Sequence, residues 1–261
     1  MNTPSSVLEA RGLAIGHNGK ILASGLSFAL PEGGVTALIG CNGAGKSTLL
    51  RTLCGELPPL RGEALICGQD VSAITPAERA RLAALVTTER GQAGALTVRQ
   101  LTALGRQPHT GFFGRLSAHD RDVVEEAMHA TGIAHKSDSF VADLSDGERQ
   151  KAMMARALAQ ETPLLLLDEP FSFLDVASRI EILALLKRMA HSEGRTVLYS
   201  THDVAQSLRM ADRILMFTPR RELILSTPAQ MRADGSIARL FENKDIVFSP
   251  SQNDFIPAND N

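Results

Sequence analysis

The stretch "VTALIGCNGAGKST", Val35 to Thr48, constrains the fold more than any other part of the chain. A β-branched apolar run ends at Gly40, a glycine-punctuated loop follows, and from Lys46 to Leu53 the leucines fall at helical spacing. That order, strand then glycine loop then helix, is the context in which GxxxxGK[ST] carries chemical meaning. Glycines let successive backbone N–H groups turn inward around phosphate oxygens, and the helix N-terminus adds the positive end of its dipole. Gly40, Cys41, Asn42, Gly43, Ala44, Gly45, Lys46, Ser47 and Thr48 are therefore the expected phosphate cradle. Lys46 would neutralise the outer phosphates, and the Ser47 hydroxyl would hold Mg²⁺.

A second α/β set begins at "PLLLLDEP", whose leucines suit a strand buried on both faces. Carboxylates at the carboxyl end of a parallel strand face the crevice where ligands bind in open α/β sheets. Asp168 is placed to accept Mg²⁺ through water, and Glu169 to orient or deprotonate an attacking water. A helix from about Val176 to His191, the strand "TVLYS", a short helix and the strands "RILMF" and "ELILS" follow. His202 ends "TVLYSTH" in the position next to the acidic pair, where an imidazole can donate to a terminal phosphate or hold the water.

The remaining organisation is read from periodicity. "LEARGLAIG" and "SGLSFALPEGG" alternate apolar and polar positions, which suits a small antiparallel sheet. From roughly 88 to 157 the strand signals vanish and the pattern becomes helical. Helix starts of capping-box form stand at Thr75, Ser117 and Thr227. The expected fold class is α/β: a P-loop NTPase (RecA-like) core over 1–87 and 158–248, with a small antiparallel β-subdomain and an inserted helical subdomain over 88–157. Residues 249–261 read as a polar, loosely ordered tail.

Composition limits the alternatives. With 261 residues, 44% of them hydrophobic, the chain can bury one large core or two modest ones. A net charge of −2 gives no global basic field, so nucleic acid is not an expected partner. Cys41, Cys54 and Cys67 lack CxxC spacing and point to a reducing compartment. No run approaches the ~20 apolar residues of a membrane span, so a place at the membrane would be peripheral. Cys41 itself reads as a small apolar side chain, although a redox role at a helix N-terminus is conceivable.

"LSDGERQ", Leu144 to Gln150, poses the remaining question. Ser145 and Glu148 form a capping box, so the turn starts a helix. The same turn offers a hydroxyl, a glycine backbone and a helix dipole, which is phosphate-binding equipment. One nucleotide does not need two such cradles from one chain.

With these segments in this order, the sequence resembles the ATP-binding subunits of ABC transporters. The motifs that carry the resemblance are "GCNGAGKS", "LSDGERQ", "LLLLDEP", "SFLD" and "STHD". It implies MgATP hydrolysis and a head-to-tail pair of such subunits, here expected to be a homodimer. Ser145 and Gly147 would then contact the γ-phosphate of ATP held by the other copy, and Asp175 would belong to the loop between the two sites. It also implies a separate multi-span permease, docked near 87–107, a substrate-binding protein acting through that permease, and a place on the cytoplasmic face of the cell membrane. "LTVRQLTALGRQPHTGFFGRLS" and "LFENKDIVFSP" are similar to subunits that import iron–siderophore, haem or cobalamin complexes.

Two positions depart from the family pattern. His17 stands where an aromatic usually stacks on adenine, and an imidazole offers less area. In "LVTTERGQ", Thr87 or Thr88 occupies the place of a metal-contacting glutamine, with Gln92 as the other candidate. Those departures keep a regulatory ATP binder in view. A soluble ABC-type ATPase uncoupled from transport is the other alternative, and an exporter engine a third.

Overall fold

The computed structural model describes residues 6–87, 95–111, 113–240, 246–249 and 254–258. In chain order the elements are β1 (Ser6–His17), β2 (Lys20–Pro31), β3 (Gly34–Ile39), α1 (Lys46–Leu53), β4 (Arg61–Ile66), β5 (Gln69–Asp70), α2 (Pro76–Leu82), β6 (Ala83–Val86) and α3 (Val98–Ala103). They continue with α4 (Ala118–Ala130), α5 (Asp146–Ala159), β7 (Leu164–Leu167), α6 (Val176–Glu193), β8 (Thr196–Ser200), α7 (Val204–Met210), β9 (Arg213–Phe217), β10 (Leu223–Ser226), α8 (Pro228–Ala233), β11 (Ile246–Ser249) and β12 (Asp254–Pro257).

The central sheet has the order β10-β9-β3-β8-β7-β6. The strands from β9 to β6 run parallel, and β10 closes one edge antiparallel to β9. Along β3, β8, β7 and β6 the register pairs Leu38 with Ser200, Tyr199 with Leu167, and Leu167 with Val86. Four consecutive strands therefore end side by side, and the residues just beyond them, Gly40, Thr201, Asp168 and Thr87, share one edge. This is the carboxyl edge at which open parallel sheets bind ligands.

Both faces of that sheet are buried, as the leucine run predicts. Leu165 and Leu167 of β7 join the core on one face, while Leu164 and Leu166 join the core on the other. The first face is covered by α6 and by helices of the middle segment, with Val124, Met128 and Ala155 in the same apolar cluster as Leu165. The second is covered by α1 and by the antiparallel sheet β2-β1-β4-β5. β1 is longer than the motif suggested, and register shifts against β2 let it bend across α1.

Among the described residues five helix starts carry complete capping boxes, at Thr75, Thr97, Ser117, Ser145 and Thr227. The middle segment is further held by Arg106. Its buried guanidinium donates to Asp120 Oδ1 at 2.8 Å, to Ala159 O at 2.8 Å and to Glu161 Oε2 at 2.5 Å, joining the starts of α4 and the end of α5.

The stretch read as a loose tail needs correction. Residues 246–249 and 254–257 pair as an antiparallel hairpin, with Phe248 opposite Phe255. Their rings meet edge to face at 5.4 Å and pack on the main core. Those two aromatics outweigh the polar composition around them.

Candidate functional site

The loop after β3 has the glycine conformations that the expected cradle requires. Gly43 and Gly45 adopt φ of 76° and 111°, values that β-carbon-bearing residues seldom take. A Cβ on Gly45 would also lie 2.9 Å from Leu22 Cδ2, a side-chain end that can give way, so it is the torsion that favours glycine there. The first turn of α1 has neither a side-chain cap nor an acidic residue, which leaves the positive helix end uncompensated. Lys46 is 7% exposed, and its Nζ donates to Gly40 O at 2.7 Å and Cys41 O at 3.3 Å. Burial pushes its pKa down, while Glu169 and Asp168 pull it back. Ser47 is exposed at the start of the same helix. His17, at the end of β1, stands beside this loop, with Nε2 3.4 Å from Thr48 Oγ1.

The acidic pair is set by a residue that sequence reasoning missed. Ser200, fully buried at the end of β8, donates from Oγ to Asp168 Oδ1 at 2.6 Å and accepts the Glu169 N–H at 2.8 Å. One hydroxyl thus fixes both carboxylate-bearing residues. Its signal was a serine at the end of a buried strand next to the acidic strand, visible in "TVLYSTHD". Glu169 has φ of 46°, an unusual conformation for a side-chain-bearing residue. Its Oε2 accepts from Ser172 Oγ at 3.2 Å, and its Oε1 lies 3.9 Å from Nδ1 of His202. Thr87 follows β6 directly beside Asp168, whose N–H donates to Val86 O at 2.8 Å. Thr88 and Gln92 lie outside the described residues.

Ser145, Gly147 and Asp175 lie elsewhere. They line a separate 540 Å³ cleft with Lys151 and Phe173. Ser145 caps α5: its Oγ accepts the Glu148 N–H at 3.3 Å, and Glu148 Oε2 accepts from both Oγ and N–H of Ser145 at 2.9 Å. The Ser145 backbone N–H is the main reason that the Glu148 carboxyl is held down at about 2. A Cβ on Gly147 would lie 2.9 Å from Phe173 O, so this glycine is required by the close approach of the following loop. Asp175 caps α6, accepting the Ser178 N–H at 2.7 Å, and that bond lowers its pKa. Gln150, one turn along α5, donates to Pro170 O at 3.3 Å and ties the two regions together.

The arrangement thus has two parts. Lys46, Ser47, Thr87, Asp168, Glu169 and His202 converge at the carboxyl edge of the sheet. Ser145, Gly147 and Asp175 form a second surface, equipped for phosphate oxygens by a helix start. Among the described residues no helix is long and apolar enough to cross a membrane.

Comparison with known proteins agrees with this geometry. The profile of the ABC transporter family matches residues 23–172. The chain is 37% identical over 238 residues to the ferric enterobactin transport ATP-binding protein FepC of Escherichia coli (strain K12), covering 90% of this chain and 88% of that protein. It is 34% identical over 248 residues to the iron(3+)-hydroxamate import ATP-binding protein FhuC of Bacillus subtilis (strain 168), covering 94% and 92%. Among solved structures, an ATP-binding subunit of an ABC transporter superimposes with a TM-score of 0.78 at 26% identity, covering 89% and 94%. The chain belongs to the ABC transporter family, as one of its ATP-binding subunits.

Proposed function

We propose that this chain hydrolyses MgATP to power import of an iron–siderophore, haem or cobalamin-type chelate through a separate membrane permease. The observation that carries the reaction is the row of strand ends, which sets phosphate loop, acidic pair and histidine side by side. The substrate class is supported by the relatives that serve ferric enterobactin and iron(3+)-hydroxamate systems.

The residues act by position and charge, the usual source of catalysis in phosphoryl transfer. The loop from Gly40 to Thr48 turns backbone N–H groups on the β- and γ-phosphates. Lys46, now folded onto two loop carbonyls, releases them to meet phosphate oxygens of greater charge. The oxygen donors Ser47, Asp168 and Thr87 fit a hard cation and would hold Mg²⁺ directly or through water. When bound, that ion supplies charge neutralisation on the phosphates. Glu169 takes the proton of the attacking water, and His202, open to solvent, donates to the departing γ-phosphoryl group.

Ser145 and Gly147 complete the shell from a second copy of the chain. For that, the Ser145 hydroxyl exchanges its bond to Glu148 for one to phosphate. The pairing brings Asp175 between the two nucleotides.

The permease is expected to seat in the groove between α2 and the turn after α3, where Ala77, Ala80, Leu104, Pro108 and Arg156 line 450 Å³. The Arg156 guanidinium is largely desolvated there, and it makes no hydrogen bond or ion pair among the described residues. A chain seated in this way is peripheral, on the cytoplasmic face of the membrane.

The test is uptake of radiolabelled ferric siderophore, haem and cobalamin by cells that lack the chain, complemented with wild type or Glu169→Gln. Wild type restores uptake of one chelate class and the variant does not. Equal uptake of all three with either gene, or with neither, would remove the import reading.

A further inference from the structure

His202 is loosely held among the converging groups. Its side chain is 72% exposed, approaches Glu169 no nearer than 3.9 Å and makes no hydrogen bond among the described residues. Its place is therefore set through the backbone that carries it, and that backbone is fastened at the next residue. Asp203 receives the Gln206 N–H on Oδ1 at 2.8 Å as the cap of α7, and its own N–H donates to Thr201 Oγ1 at 3.1 Å. Its other oxygen, Oδ2, lies 3.6 Å from a terminal nitrogen of Arg179.

Arg179 comes from a different part of the chain. It stands in the first turn of α6, where its N–H donates to Asp175 O at 2.9 Å. The loop before that turn is the one pressed against Gly147. Arg179 lines a small cavity together with Glu169, Ser172, His202, Asp203 and Gln206. Its Nε is buried there without a hydrogen-bond partner, which native structures seldom leave unexplained.

We propose that Arg179 is a positioning residue: by pairing with Asp203 it ties the start of α6 to the loop of His202 and so fixes the imidazole beside Glu169. This rests on the reading of the chain as an ATPase. The orphaned Nε gives the brace capacity to tighten when the cavity narrows around substrate, and the tie makes the His202 loop follow the loop that touches Gly147.

Asparagine caps a helix as well as aspartate does, so Asp203→Asn removes the charge pair and keeps α7 capped. The experiment measures kcat and KM for ATP in the full chain for Arg179→Gln, Arg179→Lys, Asp203→Asn and the double variant, with Glu169→Gln as reference. Arg179→Gln and Asp203→Asn are each expected to lower kcat about ten- to a hundredfold, the scale of a misplaced catalytic group, with KM and thermal midpoint unchanged. The double variant should lose no more than the worse single, and Arg179→Lys should recover most of the rate. Unchanged kcat in either single, or losses that multiply in the double, overturns the inference while Glu169→Gln remains inactive. No ATP turnover by the wild-type chain overturns the ATPase reading and the inference together, and normal turnover by Glu169→Gln overturns the role of Glu169 and, with it, the inference.

Discussion

The phosphate loop and the "LSDGERQ" turn use the same materials to different ends. Each brings a glycine and a hydroxyl to the start of a helix. At the first, α1 begins without a side-chain cap, the lysine is buried and the sheet edge supplies carboxylates within reach. At the second, Ser145 is already spent in a capping box with Glu148, and no acidic strand end faces it. One turn is open for a ligand and backed by a rigid sheet. The other is self-satisfied, and must be drawn open by something brought to it. A strongly charged phosphate presented by another subunit has the chemistry to compete with Glu148.

The comparison can be broken most severely at Lys46. Lys46→Ala should weaken ATP binding about ten- to a hundredfold, the worth of a charge-assisted hydrogen bond, as read by titration calorimetry. Unchanged affinity would mean that the open turn is not the cradle.

Gly147→Ala addresses the other turn. Its Cβ would meet Phe173 O at 2.9 Å, forcing the loop away from α5. ATP affinity of the chain should be unchanged while steady-state turnover drops roughly tenfold through misplacement. Equal loss of both would argue that the two turns serve one nucleotide within a single chain.

The smallest effect sharpens the claim that the second turn is self-satisfied. Glu148 has its carboxyl lowered from 4.5 to about 2 in the folded chain. A lowered folded pKa contributes stability that is full above the unfolded value and is lost as pH falls from there toward the folded one. Glu148→Gln keeps a capping-box side chain without the titration. The thermal midpoint of wild type should therefore fall more steeply than that of the variant below pH 4.5. Parallel curves would deny the Ser145–Glu148 pair its weight.

What the sequence made legible was whatever repeats locally. The cradle, the doubly buried leucine strand and four capping boxes are contiguous, and each was readable as a short string. Thr97, with Gln100 at the third helical position, was readable by the same rule but went unread. Strand β4 pairs with β1, and the two-residue β5 pairs with β4, over too few residues to show a period of their own.

Ser200 and Arg179 belong to a different class. Ser200 matters because parallel pairing sets β8 against β7, and Arg179 because α6 and the start of α7 meet over one cavity. Neither relation is local in the chain. The hairpin after 245 was hidden by its polar composition, since two phenylalanines facing each other across strands hold it.

The most direct test of the composite site is the mass in solution of the Glu169→Gln chain with and without MgATP. If Ser145 and Gly147 serve the nucleotide of another copy, ATP should convert a monomer to a dimer. Adding Gly147→Asp should then prevent dimerisation while leaving ATP bound. Saturating ATP on a chain that stays monomeric, or a dimer indifferent to Gly147→Asp, would contradict the account.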